Sequence, residues 1–157
     1  MALAPLAHAP EAHAKAAPAN AVAPRFGLPT SAGKVDSDSL RGHVVLVDFW
    51  ASWCGPCRQS FPWLAAMHDR YAAKGLVIVA VNLDKDRARA GKFLEDYRVP
   101  FTVAFDPAGK TAEAFQVKAM PTSFIVDRSG AIVMTHAGFD AKKTDAMEAA
   151  LEEACSK

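Results

Sequence analysis

The chain has 157 residues, 51% of them hydrophobic, and a formal net charge of +1 at pH 7. This length is enough for one domain with a substantial hydrophobic core. The near-neutral charge argues against a protein that binds nucleic acid or an anionic membrane surface through charge alone. No apolar run approaches the roughly 18 residues of a transmembrane helix, so the sequence contains no predicted membrane span.

The first 24 residues differ in composition from the rest of the chain. Alanine, proline and histidine dominate residues 1–24, and no aromatic side chain occurs before Phe26. Because this segment has few large apolar side chains to bury, we expect residues 1–24 to be a disordered leader or tether. Residues 25–157 are then the folded domain. No Lys or Arg precedes Lys15, which is atypical of a signal peptide, so an export signal or anchor would have to lie upstream.

The remaining sequence predicts alternating strands and helices. Apolar and β-branched runs predict strands at residues 44–49, 76–81, 101–105, 122–126 and 131–136. Helical spacing predicts helices at residues 56–73, 86–97, 112–115 and 140–154. Pro62 removes a backbone donor inside the first helix and should kink it. Because early strands alternate with helices and a hairpin turn is predicted at residues 127–130, we expect an α/β fold with a central mixed sheet flanked by helices.

The segment Val47–Cys57 carries most of the functional information. Cys54 and Cys57 are separated by two residues, follow a predicted buried strand and begin a predicted helix. A helix N-terminus offers free N–H groups and a positive dipole end, and both favour a thiolate. A cysteine with a pKa of about 8.5 is about 3% ionised at pH 7, whereas one with a pKa near 7 is about half ionised. Because Cys54 is nearer these amides, we expect it to be the attacking thiolate and Cys57 the resolving thiol.

Such a cysteine pair can also bind zinc or form a structural disulfide. A zinc site needs a second pair of Cys or His ligands, but Cys155 stands alone and His43 and His68 lack ligand spacing. A structural disulfide with a two-residue spacer closes a very small loop and restricts the unfolded chain little. We therefore favour redox chemistry over zinc binding or a structural disulfide, with no metal and no cofactor.

The segment Val47–Cys57 resembles the active-site segment of the thioredoxin superfamily almost residue for residue, including Trp53, Gly55 and Pro56. Met120–Thr122 is similar to the loop of that superfamily that contains a cis-proline, here Pro121. Within the superfamily the chain looks like the TlpA/ResA-type reductases. This closer similarity rests on the segment before the first long strand, a helix–strand insert and the late hairpin, at residues 23–29, 86–105 and 121–130.

The resemblance implies a thioredoxin-like fold with a TlpA-type helix–strand insert. It also implies an exported, often membrane-tethered thiol reductase that a membrane thiol electron carrier re-reduces, with oxidised apocytochrome c or copper-site cysteines as usual targets. We accordingly expect a periplasmic or other extracytoplasmic monomer that acts on disulfide-containing proteins. Two positions depart from the pattern: Ser60 stands where ResA-type members have Glu, and Asp48 where they usually have a neutral residue. These departures weaken a specific role in cytochrome c biogenesis.

Asp48 is the predicted proton acceptor. It lies between Val47 and Phe49 in an apolar run, so we expect it to be buried, with a raised pKa. A carboxylate of this kind suits the transfer of a proton from Cys57 as that thiol attacks the mixed disulfide. Alignment with thioredoxin places Ala80 where that family has a lysine beside the buried acid, so no lysine partner is expected.

The remaining candidate residues shape the site rather than react. A cis peptide bond before Pro121 would aim the Met120 backbone at an extended substrate peptide. Trp53 is expected to form an apolar rim beside the cysteines, with Trp50 packed beneath them. Gly55 and Pro56 influence the relative stability of the dithiol and disulfide forms, and their resemblance to the thioredoxin spacer suggests a reductant.

A second hypothesis is that the chain is not an enzyme but a copper-binding protein or metallochaperone. Some thioredoxin-like folds bind copper with two cysteines and a distant histidine, and His136 is the candidate third ligand beside Cys54 and Cys57. A peroxidase is disfavoured, because such relatives place a Thr ahead of a lone peroxidatic cysteine and Ser52–Cys54 lacks that arrangement.

Overall fold

The computed structural model of the protein describes residues 14–15 and 21–157. The strands among these residues are β1 (Ala14–Lys15), β2 (Gly27–Thr30), β3 (Gly33–Asp36), β4 (Val44–Trp50), β5 (Leu76–Asn82), β6 (Thr102–Phe105), β7 (Thr122–Val126) and β8 (Ile132–Ala137). The α-helices are α1 (Gly55–Tyr71), α2 (Arg87–Asp96), α3 (Lys110–Ala114) and α4 (Asp145–Cys155). No helix in this described part is long and apolar enough to cross a membrane.

One mixed sheet organises the fold, with strand order β1-β8-β7-β4-β5-β6-β2-β3. The central strand β4 pairs in parallel with β5 and antiparallel with β7. All seven residues of β4 are buried. This burial explains the nearly continuous apolar run in the sequence, because a strand covered on both faces needs apolar side chains in both directions. The predicted α/β fold with a central mixed sheet and flanking helices is confirmed.

Helices and loops cover the two faces of the sheet unequally. Side chains alternate between faces along a strand. Leu46 and Trp50 of β4 lie in a core cluster with residues of α1, α2 and α4. Val47 and Phe49 lie in the opposite cluster, with residues of α3 and the segment that leads into β2. Asp48 has the same parity as Leu46 and Trp50, so its side chain belongs to the α1 face.

The β2–β3 hairpin is a pairing that the sequence did not predict, although the resemblance marked residues 23–29 as an N-terminal segment of the TlpA type. β2 and β3 pair over four residues, with Pro29 opposite Lys34. The short sequence Gly27–Thr30 contains Gly and Pro, which count against a strand unless it lies near a sheet edge. β3 is such an edge, and β2 pairs with β6 only through Thr30 and Ala104.

Two predicted helix starts differ from the structure by two residues or more. α4 begins at Asp145 and not at Asp140. The Asp140 carboxylate accepts a hydrogen bond from the Lys142 amide at 2.9 Å, which forms a local turn of the kind that competes with a helix. α3 begins at Lys110, two residues before the predicted start at Ala112.

The predicted leader, residues 1–24, lies outside the described residues except at 14–15 and 21–24. The Ala23 amide donates to the Gly130 carbonyl at 2.9 Å, and the Ile132 amide donates to the Ala21 carbonyl at 2.7 Å. β1 pairs antiparallel with β8. These described backbone segments therefore run beside the late hairpin, and the domain division at residue 24 stays a prediction.

Arg128, in the turn between β7 and β8, connects several chain segments. Its guanidinium donates to the carbonyls of Gly42 at 2.9 Å, Lys74 at 2.8 Å and Lys157 at 3.1 Å. A longer hydrogen bond reaches the Cys155 carbonyl at 3.4 Å. The planar guanidinium can serve several acceptors because its donors have fixed directions. Arg128 thus ties the chain before β4 and the ends of α1 and α4 to the hairpin turn.

Candidate active site

The two cysteines of the motif form a disulfide at the N-terminus of α1. Cys54 is the N-cap residue, and the Cys57 amide donates a hydrogen bond to Cys54 Sγ at 3.3 Å. Cys54 is 4% exposed, whereas Cys57 is fully buried. The geometry therefore gives Cys54 the helix-terminal N–H donor that favours a thiolate, and only Cys54 is open to attack from outside. Gly55 and Pro56 form the exposed first turn of α1.

A buried polar network holds the loop between β4 and the cysteines. Asp84, just after β5, accepts hydrogen bonds from the Ser52 amide at 2.9 Å and the Ser52 hydroxyl at 2.8 Å. The Asn82 side chain donates to the same carboxylate at 2.7 Å, and its oxygen accepts from the Asp84 amide at 3.1 Å. The Leu83 amide also donates to the Trp50 carbonyl at 2.9 Å. The loop that carries Cys54 is thus anchored to the end of the neighbouring strand.

Sequence reasoning missed Asp84 as part of the site. The available signal was that polar residues follow directly after the buried strand β5, on the parallel neighbour of β4. The carboxyl ends of parallel strands lie at the same edge of a sheet, where α/β proteins place their functional loops. An acid at this position was therefore a reasonable partner for the loop after β4.

Asp48 is fully buried, as expected from its apolar neighbours. It lies opposite Ala80 of β5 and Ser123 of β7, so no lysine stands beside it on either strand. Burial raises the pKa of Asp48 from 3.8 to about 7, because a carboxylate is poorly solvated there, and a hydrogen bond from Ser123 partly opposes this effect. A carboxyl group with this pKa can both accept and return a proton near pH 7.

Cys57 shares a core cluster with Leu46 and Trp50, the two neighbours of Asp48 on the α1 face of β4. Asp48 and Cys57 thus lie on the same face of the sheet. Ser60, one turn further along α1, is also buried, and its hydroxyl donates to the Cys57 carbonyl at 3.0 Å. The Ser60 side chain, at the position where the ResA resemblance implies Glu, therefore hydrogen-bonds to the helix backbone, and Asp48 is a buried carboxyl group on the same sheet face as Cys57.

The predicted proline loop lies at the start of β7. The Met120–Pro121 peptide bond is cis, as the resemblance implied. Pro121 is buried and Met120 is half-buried. Two hydrogen bonds hold the loop: the Thr122 hydroxyl donates to the Ala119 carbonyl at 2.6 Å, and the Gly138 amide donates to the Pro121 carbonyl at 2.7 Å. The loop is thereby fastened to the chain that follows β8.

Trp50, at the end of β4, and Trp53, just before Cys54, have opposite environments. Trp53 is 68% exposed, which suits the predicted apolar rim beside the cysteines. Trp50 is fully buried and packs against Phe61 and Phe93, with ring centroids 4.7 Å and 4.8 Å away. Trp50 is thus a core residue beneath the site, as predicted.

The copper-binding alternative is not favoured by the structure. His136 lies on β8, directly opposite Ser123 and two strands from β4, whereas the cysteines lie at the end of α1. The sheet register turns His136 into the interior, where burial lowers its pKa. Among residues 21–157, no group of three His, Cys, Asp or Glu side chains could hold a metal ion. The sequence could not show this separation, because it depends on strand order.

Comparison with known proteins agrees with this geometry. The Redoxin family matches residues 16–152. Thiol-disulfide oxidoreductase ResA of Bacillus subtilis is 32% identical over 117 residues, which are 74% of this chain and 65% of ResA. Thioredoxin-like protein YneN of the same organism is 37% identical over 125 residues, 77% of this chain and 72% of YneN.

A crystal structure from Chlorobium tepidum, of a protein that carries the name thiol:disulfide interchange protein DsbE, is 48% identical. It superposes with a TM-score of 0.85 and covers 87% of this chain and 96% of that one. Fold, cysteine motif and sequence similarity therefore agree. The chain belongs to the Redoxin family and is a TlpA/ResA-like member of the thioredoxin superfamily.

Proposed function

We propose that this protein is a thiol–disulfide oxidoreductase that reduces disulfides in protein substrates. The observation that carries the proposal is the Cys54–Cys57 disulfide at the N-terminus of α1, with the buried carboxyl group of Asp48 on the same face of the sheet. The names of the relatives support it, since ResA of Bacillus subtilis is called a thiol-disulfide oxidoreductase. This chain spans only 65% of the length of ResA, so the activity is proposed for the domain seen here.

The first step uses the more accessible thiol. In the reduced protein, the Cys54 thiolate attacks one sulfur of a substrate disulfide and forms a mixed disulfide, while the other substrate sulfur leaves as a thiolate and takes a proton from water. The Cys57 N–H that contacts Cys54 Sγ in the oxidised form stabilises negative charge on that sulfur.

The second step uses the buried thiol and the buried carboxylate. Cys57 gives its proton to Asp48 and attacks the Cys54 sulfur of the mixed disulfide. The second substrate thiolate leaves, and the Cys54–Cys57 disulfide forms. The substrate has gained two electrons, and a thiol donor must return two electrons to the protein before the next cycle. In the oxidised protein the pKa of Asp48 is about 7, so this group is suited to accept a proton and to return it near neutral pH.

Residues around the cysteines are proposed to position the substrate. An extended peptide would pair with the backbone of Met120 beside Pro121, and the exposed ring of Trp53 would contact its apolar side chains. Gly55 and Pro56 are proposed to set the balance between dithiol and disulfide.

The cellular setting is part of the proposal and rests on the TlpA/ResA resemblance. We propose a monomer that works in the periplasm or another extracytoplasmic space and receives electrons from a membrane thiol donor. Residues 25–157 would be the catalytic domain, with the preceding residues as a leader or tether. Position 60 is Ser, where the resemblance implies Glu, and this favours reduction of protein disulfides in general over a dedicated role in cytochrome c biogenesis.

The test is the reduction potential of the Cys54–Cys57 pair, measured by equilibration with defined thiol buffers and trapping of free thiols. A value near that of thioredoxin, about −270 mV, supports a reductant, and one near about −120 mV shows a disulfide donor. Cys57→Ser should accumulate a mixed disulfide with substrate through Cys54, whereas Cys54→Ser should not. Cys155→Ala is the control, since that buried thiol lies outside the pair. Equal loss of activity in the Cys155 variant would contradict the assignment.

A further inference from the structure

A buried row of polar side chains crosses three strands of the sheet behind the cysteines. Asp48 of β4 lies directly opposite Ser123 of β7, which lies directly opposite His136 of β8. Directly paired residues of antiparallel strands project to the same face. All three side chains are at least 95% buried, in a sheet whose neighbouring positions are largely apolar.

Only one hydrogen bond in this row reaches the carboxyl group. The Ser123 hydroxyl donates to Asp48 Oδ1 at 2.7 Å. Asp48 Oδ2 and both ring nitrogens of His136 have no hydrogen-bond partner among the residues that the structure describes. A buried acceptor without a partner is unusual and calls for an explanation. The two oxygens of Asp48 therefore differ: one is held by Ser123, and the other remains open to accept a proton.

We propose that Ser123 is a positioning residue for the second step of the reaction, which holds Asp48 Oδ1 so that Oδ2 receives the proton of Cys57. A hydroxyl group that donates to a carboxyl oxygen favours the charged carboxylate over the neutral acid. Ser123 thereby opposes the effect of burial and keeps Asp48 usable as a base near neutral pH. This inference rests on the proposed function, because it gives Asp48 a partner in the same reaction.

The groups that face Asp48 leave few other ways to control its ionisation. β5 presents Ala80, which carries no charge, and β7 presents Ser123. α1 contributes Cys57 to the same face, and beyond Ser123 lies His136 on β8. Burial lowers the pKa of His136 and so disfavours its charged form. Burial and the Ser123 hydrogen bond are the two influences on the pKa of Asp48 among the described residues.

The test separates the two steps in a single turnover. The reduced protein is mixed with excess aryl disulfide whose thiolate is coloured, so that attack by Cys54 and resolution by Cys57 release colour in two successive phases. The rate of each phase is measured from acid to alkaline pH. We expect Ser123→Ala to raise the pH midpoint of the second phase by about one unit and to slow that phase about fivefold at pH 7, leaving the first phase unchanged.

Matched variants isolate the hydroxyl group. Ser123→Thr keeps a hydroxyl and should retain the midpoint of the native protein, whereas Ser123→Val has nearly the shape of Thr without the hydroxyl and should shift it. This Thr/Val pair also decides the question if Ser123→Ala does not fold. Ser60→Ala is the control, because that buried hydroxyl donates to the Cys57 carbonyl and not to Asp48. The Asp48 carboxyl titration, followed directly by carbon NMR in the oxidised protein, should move upward in the variants without the hydroxyl.

The outcomes distinguish this inference from the proposed function. If the native protein releases only one equivalent of coloured thiolate, the thiol–disulfide mechanism itself fails. If both phases occur but Ser123→Ala and Ser123→Val leave the pH midpoint unchanged, or slow the second phase equally at every pH, the role of Ser123 is refuted. A shift of the same size in Ser60→Ala would also refute it, because the effect would not depend on the contact with Asp48.

Discussion

Replacement of Asp48 by Asn should make the stability of the protein less dependent on pH. The pKa of Asp48 is about 7 in the folded protein, against 3.8 for an exposed aspartate. Between these values the folded state keeps a proton that the unfolded state releases, so the free energy of unfolding falls as pH rises. Each pH unit corresponds to 1.36 kcal/mol. Over about 3 units the ionisable group therefore destabilises the native protein by about 4 kcal/mol at pH 7 and above, and by nothing below about pH 4.

The Asn variant lacks this pH-dependent destabilisation, but its amide group adds a destabilisation that does not change with pH. Its amide oxygen can still accept from Ser123, whereas its NH₂ group takes the place of Oδ2, which has no partner among the described residues. The amide NH₂ carries two N–H donors where the protonated carboxyl group carries one O–H, and each further unsatisfied buried donor costs about 1–3 kcal/mol at every pH. We therefore expect Asp48→Asn to be less stable than the native protein near pH 4 and more stable by about 1–3 kcal/mol at pH 8.

Urea unfolding of the oxidised proteins at a series of pH values measures this effect. The difference in free energy of unfolding between variant and native protein should rise by about 1.4 kcal/mol per pH unit between pH 4 and 7, then level off. Ser60→Ala serves as the comparison, since it removes a buried hydroxyl that does not titrate. A difference that stays constant with pH for Asp48→Asn would refute the raised pKa of Asp48, and with it the physical basis for its role as a base.

Three further predictions concern Asp84, Arg128 and Trp53. Asp84→Ala removes both hydrogen bonds to Ser52. We expect it to lower the free energy of unfolding by about 2–4 kcal/mol and to speed hydrogen exchange of the Ser52 amide. Unchanged exchange would contradict the anchoring role of Asp84. Arg128→Ala should lower the free energy of unfolding, measured in urea, by about 1–3 kcal/mol. Arg128→Lys should recover only part of this free energy, because an ammonium group cannot reach the same set of carbonyls. Full recovery by Lys would show that charge alone matters. Trp53→Ala should raise KM for a protein substrate while the free energy of unfolding stays within about 0.5 kcal/mol, and an unchanged KM would remove Trp53 from the substrate surface.

Local sequence was informative where structure depends on neighbouring residues. The apolar run before the cysteines predicted the buried strand β4, since a strand covered on both faces must be apolar in both directions. The same run predicted that Asp48 would be buried. The boundaries of β5 and β7 were also within a residue of the structure. Edge elements were harder to predict, because the β2–β3 hairpin is short, contains Gly and Pro and has little apolar alternation.

Contacts between distant segments could not be predicted in the same way. Ser123 is 75 residues from Asp48, and their contact depends on the register between β4 and β7. Strand register is a property of two segments together, and a slip of one residue would turn Ser123 to the other face. The Ser52–Asp84 contact depends likewise on the parallel pairing of β4 with β5.

By itself, the sequence determined the redox motif, the order of most elements and the environment of Asp48, because two-residue spacing, helix position and apolar flanks are local properties. Only the tertiary structure decided which side chains meet. It placed His136 two strands from β4, gave Asp48 the Ser123 hydroxyl as a hydrogen-bond donor, and paired Asp84 with Ser52 of the active-site loop. These outcomes follow from strand order and register, which depend on how the whole chain buries its apolar surface.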